Sequence, residues 1–291
     1  MQSGLRTLVF GFILVGLVGS TSAGEPFLYA GDNYAGTLFT IDKSTGATID
    51  TVGVTLDGSP VASIKGLAAR ESTGVLYAVV VKDSPVDQPP VGDFTLVTIV
   101  PDTGVATEIG PLGDRFAGLA WAPYAPTEGQ PPWVETLFGV TGDGAINPEE
   151  LYIIDPDTAA TSFHMSLGNG ADGEAIAYNS DDNLLYHLSG GYGFDLVFEK
   201  IDLWTLDVTP VALSGASFVN GNGLVYDQAA GVFRFAAIVE NPQPTDQLYA
   251  TELFSVSAVG VAASLGATDT YFSGMAFSEL VPVELMSFTI E

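Results

Sequence analysis

The chain has 291 residues, of which 47% are hydrophobic, so it can bury a large core in one β domain or in two smaller domains. Its formal net charge of −27 comes from 35 acidic and 8 basic residues. That balance excludes nucleic acid and anionic membrane surfaces as partners, because phosphate binding needs clustered cations. Since there is no cysteine, disulfides and thiolate metal sites are excluded as well.

The first 23 residues have the parts of an export signal. Arg6 supplies positive charge, residues 8–18 form an apolar run, and residues 21–23 are the small residues of a cleavage site. We therefore expect residues 1–23 to be removed and the mature protein to be secreted, or held at the cell surface or in the periplasm. No later segment offers the roughly 20 consecutive apolar residues of a membrane-spanning helix, so we expect no membrane insertion.

A short phrase recurs through the mature chain at intervals of about 50 residues, which is typical of propellers and other repeat arrays. It consists of a Gly-Leu-Ala-like triplet, a Leu-Tyr step, and a Leu-x-x-Ile-Asp strand that runs into a Thr-Gly turn. The triplets begin at Gly66, Gly118, Ala175, Gly223 and Gly274. The sequence therefore contains five copies of one strand pattern.

Alternating apolar residues between turn residues place the strands, which we name a to d within each repeat. The first repeat offers three strands, at residues 27–30, 37–41 and 48–52. The second has strands at 65–69, 75–81, 94–100 and 105–109, and the third at 116–121, 136–140, 150–155 and 161–165. The fourth has strands at 174–178, 184–188, 196–202 and 207–213, and the fifth at 222–226, 232–239, 247–255 and 261–265.

The two ends of the pattern complement each other. The first repeat lacks a strand a, and residues 272–277 supply a strand a without partners. Pairing this last strand with the first three closes a ring and removes exposed sheet edges. We predict an all-β, five-bladed β-propeller over residues 24–280, with four antiparallel strands per blade. A six-bladed ring with a blade hidden in residues 122–134, or a pair of β-sandwiches, stays open as an alternative.

Two repeated residue types are assigned structural roles. Asp42, Asp155 and the turn residue Asp102 are expected to accept backbone N–H bonds where the chain reverses between strands c and d. The aromatic residues of the Leu-Tyr steps are expected to pack between neighbouring blades. They are Tyr29, Tyr77, Phe138, Tyr186 and Phe233.

The sequences of residues 38–46 and 151–158 resemble the repeats of secreted bacterial propeller proteins related to YVTN, NHL and quinoprotein-like repeats. The resemblance covers nearly the whole mature chain and implies the propeller architecture. Such repeats carry lectins, scaffolds, lactonases and dehydrogenases alike, so the resemblance implies no particular activity. Residues 281–291 resemble the linker found before C-terminal sorting domains in secreted bacterial proteins, and we expect them to form a tail or a linker remnant.

The position just before each triplet varies in a way that packing does not require. It holds Lys65, Ala117, Glu174, Asn222 and Ser273, and a fivefold ring would aim all five at the mouth of its central channel. The d-to-a and b-to-c connections share that face, where Tyr192 lies too. We therefore expect a ligand site formed by Lys65, Glu174, Asn222, Ser273 and Tyr192, with a hydrated channel as the alternative.

Two chemical alternatives involve the acidic residues of the same face. Calcium takes six to eight oxygen ligands, which Asp143, Asn147 and Glu149 could begin to supply, although their spacing is not that of a known calcium loop. No other cofactor is predicted. Glycoside hydrolysis needs two carboxylates at one bond, for which Glu174 could be the proton donor, with a partner opposite. The candidate partners are Asp32, Asp143 and Asp195.

The sequence offers little else for catalysis. His164 and His187 are the two histidines, and they fall in different predicted blades, so a histidine-rich metal site is not expected. The common nucleophile and nucleotide motifs do not occur. We therefore expect a non-enzymatic binding or scaffold protein whose ligand is a glycan or an extracellular protein, with glycoside hydrolysis as the alternative.

Overall fold

The computed structural model describes residues 26–82, 89–125, 133–168, 175–191, 195–240 and 249–278. The predicted signal segment 1–23, the tail 281–291, Glu174 and Tyr192 lie outside these residues. No helix in the described part of the chain is long and apolar enough to cross a membrane.

The described strands form five four-stranded antiparallel blades, as the sequence predicts. Blade one contains β1 (Phe27–Asp32), β2 (Thr37–Ile41) and β3 (Thr48–Gly53). A hairpin of β4 (Thr55–Leu56) and β5 (Ser59–Pro60) leads to blade two, which contains β6 (Ser63–Ala69), β7 (Leu76–Val81), β8 (Phe94–Val100) and β9 (Val105–Pro111). A short 3-10 helix, Val91–Asp93, precedes β8.

The remaining blades follow in chain order. Blade three contains β10 (Phe116–Tyr124), β11 (Val134–Thr141), β12 (Glu150–Ile154) and β13 (Thr161–Ser166). Blade four contains β14 (Ala175–Asn179), β15 (Leu184–Ser189), β16 (Val197–Ile201) and β17 (Val208–Pro210). Blade five contains β18 (Asn220–Asp227), β19 (Val232–Glu240), β20 (Tyr249–Val256) and β21 (Ala262–Ala267).

The last strand closes the ring. β22 (Phe272–Ser278) pairs with β1 and gives blade one its fourth strand, in the order β22-β1-β2-β3. In this antiparallel register Met275 lies opposite Ala30, and Ala276 lies opposite Tyr29. The two ends of the propeller are therefore held in one sheet, which is the closure that the sequence predicts and which removes the open edge of blade one.

Glycine at the head of the triplet lets the five inner strands meet around the centre. A Cβ added to Gly66 would lie 3.2 Å from the carbonyl oxygen of Ala117 in the next blade, and one added to Gly118 would lie 3.1 Å from the amide nitrogen of Ile176. One added to Gly274 would come within 2.6 Å of the Leu67 amide nitrogen. The repeated glycine is therefore explained by backbone-to-backbone contact between neighbouring blades.

Aromatic side chains fill the spaces between blades, as predicted. The five aromatic residues of the Leu-Tyr steps are all buried. Tyr186 of blade four packs against Phe233 of blade five with ring centroids 4.5 Å apart, and Tyr77 of blade two meets Trp121 of blade three edge to face at 5.2 Å. Each blade is thus held to the next mainly by apolar contact, which suits a chain without disulfides.

The turns between strands c and d repeat one capping arrangement. The Asp42 carboxylate accepts hydrogen bonds from the Ser44 and Thr45 amides at 2.7 and 3.1 Å, and the Asp155 carboxylate accepts the equivalent pair at 2.9 and 3.1 Å. Asp202 caps the same turn in blade four, at 2.9 and 3.1 Å. The capping role predicted for Asp42 and Asp155 is confirmed, whereas that of Asp102 is wrong, because the turn of blade two begins at Val100, whose carbonyl oxygen accepts the Thr103 and Gly104 amides.

The connection between blades one and two differs from a simple loop. β4 pairs with β9 in parallel, with Thr55 opposite Val105 and Leu56 opposite Ala106, and β5 then pairs with β4. The hairpin extends the outer edge of blade two to six strands. A single parallel bridge between Ser214 and Val261 makes a similar link from blade four to blade five.

Candidate functional site

We call the end of the ring that carries the d-to-a and b-to-c connections the mouth face, and the other end the opposite face. At the mouth face the inner strands share a β-bulge just before the triplet. The pairing register shifts between Ile64 and Gly66, and again between Phe116 and Gly118. Lys65 and Ala117 are therefore the extra residues of two bulges, and such residues have their side chains re-aimed out of the regular pleat.

The bulge recurs in the other inner strands that the structure describes at this position. In β22, Gly274 lies opposite Gly31 whereas Phe272 lies opposite Asp32, so Ser273 is the extra residue. In β18 the register shifts immediately after Asn222. Lys65, Ala117 and Ser273 are thus the extra residues of bulges at one level of the ring, whereas Asn222 directly precedes the bulge of β18, where Gly223 has a φ of 63°.

Lys65 is held in a partly buried position by the neighbouring blade. Its Nζ donates to the Asn33 side-chain oxygen at 2.6 Å and to the Asn33 carbonyl oxygen at 3.0 Å. Burial lowers the pKa of Lys65 to about 8, the negative charge of Asp32 opposes this shift, and the positive charge of Arg115 adds to it. Lys65 is therefore a cation that loses its charge just above neutral pH.

Asn222 and Ser273 take part in two separate sets of hydrogen bonds between neighbouring inner strands. Asn222 Nδ2 donates to the Tyr271 hydroxyl at 2.5 Å, and that hydroxyl donates to Asn220 Oδ1 at 2.6 Å. The Ser273 hydroxyl donates to the Ile64 carbonyl, next to Lys65. Lys65, Ser273 and Asn222 therefore lie on neighbouring inner strands.

Asp32 shapes a turn beside this network. One carboxylate oxygen accepts the Tyr34 and Ala35 amides at 2.7 and 3.1 Å, and the other accepts the Thr270 hydroxyl at 3.0 Å. The side chain is buried, at 7% exposure. Asp32 thus fixes the connection that places Asn33 on Lys65.

A second buried aspartate shapes the connection from β11 to β12. Asp114 accepts the Ile146 amide at 2.7 Å, the Asn147 amide at 3.1 Å and the Arg115 amide at 2.8 Å. The Arg115 side chain lies against Gly144 so closely that a Cβ there would overlap the guanidinium. Its Nε is buried and has no hydrogen-bond partner.

The predicted calcium residues lie in this same connection. Asn147 contributes its carbonyl oxygen to the Thr141 hydroxyl at 2.6 Å, and the Glu149 amide donates to the Thr141 carbonyl at 3.3 Å. Asp143 lies between Gly142 and Gly144. Among the residues that the structure describes, no three histidine, aspartate or glutamate side chains converge at metal-binding distance.

The two histidines lie in different blades. His187 on β15 is fully buried and its Nδ1 lies 3.0 Å from Glu199 Oε1 on β16. His164 on β13 faces the Leu203 carbonyl oxygen at 3.1 Å. Burial lowers the pKa of His164, and the contact with Leu203 opposes that shift.

Tyr34 and Asp195 lie on connections of the mouth face, whereas Trp133 lies on the opposite face. Tyr34 lies on the mouth face, is 71% exposed, and has its ring centroid 6.5 Å from that of Tyr271. Asp195 follows the part of the b-to-c connection of blade four that lies outside the described residues. The exposed Trp133 directly precedes β11 and so lies on the opposite face.

Sequence reasoning did not single out Arg115 or Tyr271. Both lie two residues before the bulge position of their strand, and Ser63 and Asn220 occupy the equivalent places before Lys65 and Asn222. The sequence could have indicated them, because alternate residues of a strand lie on one side, so the residue two positions before each candidate site residue is expected on the same side of its strand. The candidate site therefore has two levels of polar residues along the inner strands: the position just before the triplet and the position two residues earlier.

The fold and this mouth define the class of the protein, a five-bladed β-propeller with a polar channel mouth. No protein-family model matches the sequence, and no curated protein sequence matches it. Among solved structures, a chain of the nidogen–laminin complex aligns with a TM-score of 0.51 and 13% identity over 88% of this chain and 98% of that one.

Two bacterial structures align less closely. The putative TolB of Agrobacterium tumefaciens gives a TM-score of 0.45 and 12% identity, covering 87% of this chain and 90% of that one. A gluconolactonase from Xanthomonas campestris gives 0.44 and 14%, covering 71% and 67%. Identities this low show a shared fold alone, so the ligand has to be argued from the residues of this chain.

Proposed function

We propose that this protein is exported and acts as a binding or scaffold protein that holds a glycan or an extracellular protein at the mouth face. The observation that carries the proposal is the repeated bulge before the triplet. The bulge recurs with Lys65, Ala117 and Ser273 as its extra residue and directly follows Asn222 in β18, so four different residues stand at or just before it. Packing alone would favour similar residues at equivalent positions, so the variation supports recognition of an asymmetric ligand.

The environment of Asp32 favours binding over hydrolysis. A glycosidase carboxylate must face the scissile bond with an oxygen available to act as base, nucleophile or acid. Both Asp32 oxygens already accept hydrogen bonds from the turn and from Thr270. Asp32 is therefore better suited to shaping the mouth than to attacking a substrate.

The exposed ring of Tyr34 adds a surface of the kind that sugar rings and aromatic side chains pack on. It lies on the connection from β1 to β2, next to Asn33, which binds Lys65. An aromatic ring with one open face offers apolar area together with a polar hydroxyl. Tyr34 therefore offers an apolar surface one residue away from the Lys65 partner Asn33.

A glycan array with a parallel turnover assay tests the proposal. We expect the wild type to bind saturably without releasing reducing ends. The Tyr34→Ala variant should bind the same glycan with about fivefold lower affinity, as for other interface anchors. Phe163→Ala is the matched control, because Phe163 is 58% exposed but lies on the outer strand β13. It should bind as the wild type does.

Three results would count against the proposal. Sugar release that is lost in Glu174→Gln would establish the hydrolase alternative instead. Equal losses in Tyr34→Ala and Phe163→Ala would place the site away from the mouth face. If no glycan binds and no extracellular protein gives a saturable isotherm, the binding function itself is wrong.

A further inference from the structure

The basic residues of this acidic chain differ in their partners. Four of them lie 2.7 to 3.7 Å from a carboxylate oxygen: Lys43, Arg70, Lys82 and Arg234. Within the described residues, Lys65, Arg115 and Lys200 form no such ion pair; Lys65 binds Asn33 instead, and of the three only Lys65 and Arg115 lie at the mouth face. Two cations of the mouth face therefore lack the anionic partners that most cations of this chain have.

These two cations belong to neighbouring inner strands. Lys65 is the bulge residue of β6, and Arg115 directly precedes β10. The strands approach each other at the triplets, where Gly66 faces the Ala117 carbonyl. The charge of Arg115 also acts on Lys65, whose pKa it helps to lower. Such like charges repel each other, and a bound anion would relieve the repulsion.

The nearest carboxylates are occupied by other donors. Asp114 precedes Arg115 in sequence, yet its oxygens accept three backbone amides. Asp32, near Lys65, accepts two amides and the Thr270 hydroxyl. Lys65 therefore lies near Asp32, and Arg115 next to Asp114. Each aspartate organises a turn and forms no ion pair with its neighbouring cation.

Arg115 provides a separate indication. Its Nε–H is buried without an acceptor, and its guanidinium lies over Gly144, in a turn held by Asp114. A buried donor without a partner destabilises the protein, and its lack of an acceptor shows that the surrounding carboxylates do not use the full hydrogen-bonding capacity of this partly buried side chain. A guanidinium fork matches the two oxygens of a carboxylate.

We infer that Lys65 and Arg115 together bind the carboxylate of an acidic sugar, so that the ligand of the mouth face is a uronic-acid-containing glycan. The inference rests on the proposed function and names the class of its ligand. Asn33, Asn222 and Ser273 lie at the same end of the ring, and amide and hydroxyl groups suit sugar hydroxyls. At physiological salt the net charge of −27 repels a carboxylate only within about 8 Å of the surface charges, so a local cation pair can still capture it.

The test is calorimetry with oligosaccharides of polygalacturonate, glucuronan and polymannuronate, each compared with its own carboxyl-reduced form, so that the two members of a pair differ only in the carboxylate. We expect at least one uronate member to bind more tightly than its neutral counterpart. Arg115→Gln and Lys65→Met should each weaken that uronate about tenfold or more, since a hydrogen bond to a charged group is lost. The affinity for the neutral partner should fall by a clearly smaller factor, so that the preference for the uronate is reduced in both variants.

Lys200→Met is the matched control. Lys200 lies on β16 opposite Tyr186, whose hydroxyl binds Asp182 at the opposite face, and the substitution changes the net charge by the same amount. It should leave uronate binding unchanged. If Arg115→Gln fails to fold, Lys65→Met and the charge-preserving Arg115→Lys decide the question. The latter should bind with intermediate affinity because it keeps the charge and loses the fork.

The outcomes separate the inference from the proposed function. Equal affinity for neutral and uronate members overturns the inference and leaves a glycan-binding protein. Uronate binding that falls equally in Lys200→Met overturns it too, since the effect would come from net charge. Binding of no sugar at all overturns the inference and leaves only the protein-ligand form of the function.

Discussion

The two faces of the ring are built from the same blade but use their polar residues differently. On the opposite face, Asp42, Asp155 and Asp202 occupy equivalent turns and make equivalent bonds to backbone amides. On the mouth face, Lys65 and Ser273 occupy equivalent bulges, yet one is a cation bound to a side chain and the other a hydroxyl bound to a carbonyl. One face repeats its chemistry and the other changes it.

The contrast separates residues that build the ring from residues that are free to serve a ligand. The turns that reverse the chain in blades one, three and four use the same aspartate acceptor, whereas the equivalent turns begin at Val100 in blade two and at Ser257 in blade five. A bulge imposes only a backbone shape and leaves the side chain open. In a repeat protein, the candidate site is therefore best sought where the backbone repeats and the side chains do not.

Ring closure should give the largest effect. In Gly274→Ala the new Cβ would lie 2.6 Å from the Leu67 amide nitrogen and 2.7 Å from the Gly66 carbonyl carbon, and neither backbone atom can move alone. We expect the free energy of unfolding to fall by about 3 kcal/mol or more, the upper range for overpacking. Chemical denaturation measures it.

Gly53→Ala is the control for this prediction, because a Cβ at Gly53 on the outer strand β3 meets nothing within 4 Å. It should change stability little. Similar losses for the two variants would mean that close contact of inner strands does not hold the ring, and the comparison between ring-building and ligand-serving residues would lose its basis.

A turn of the opposite face should show a smaller effect. Asp42→Ala removes the acceptor of the Ser44 and Thr45 amides and of the Ser44 hydroxyl, which should cost up to about 2 kcal/mol, as for comparable caps. Asp42→Asn keeps an acceptor and should lose much less. Neither variant should alter ligand affinity, because the turn lies on the other face.

The same turn has a defined pH response. Hydrogen bonds from Ser44 lower the pKa of Asp42, so its contribution to stability is present above the pKa of the unfolded chain and is lost as pH falls through the folded value. Stability curves of the wild type and Asp42→Ala should therefore converge in acid. Parallel curves down to pH 2 would show that the carboxylate charge does not stabilise the turn.

The blades could be predicted from the sequence because each one solves the same packing problem. β2 and β8 have the predicted bounds, and closure by β22 follows from a strand left over at each end of the pattern. The hairpin of β4 and β5 was missed, since its two-residue strands depend on the start of β9 in the next blade. The alternation of apolar and polar residues within a short segment does not show which distant strand it pairs with.

The site was only partly predictable for a similar reason. Lys65, Asn222 and Ser273 stand at one place in the repeat, so counting residues from the triplet finds them. The partners that define their chemistry come from other elements: Asn33 reaches Lys65 through a turn fixed by Asp32. The position of Arg115 over Gly144 likewise depends on a connection held by Asp114.

The last prediction tests the mouth face by its own titration. The groups that act on Lys65 are Asp32 and Arg115, and with its pKa at about 8 its charge falls from nearly complete at pH 7 to about a tenth at pH 9. If that charge binds a uronate, affinity should fall about tenfold over this range, equivalent to about 1.4 kcal/mol. The ligand carboxylate stays ionised throughout, so the change comes from the protein. Lys65→Arg should flatten the profile because arginine keeps its charge, and a wild-type profile that is already flat would remove Lys65 from the site.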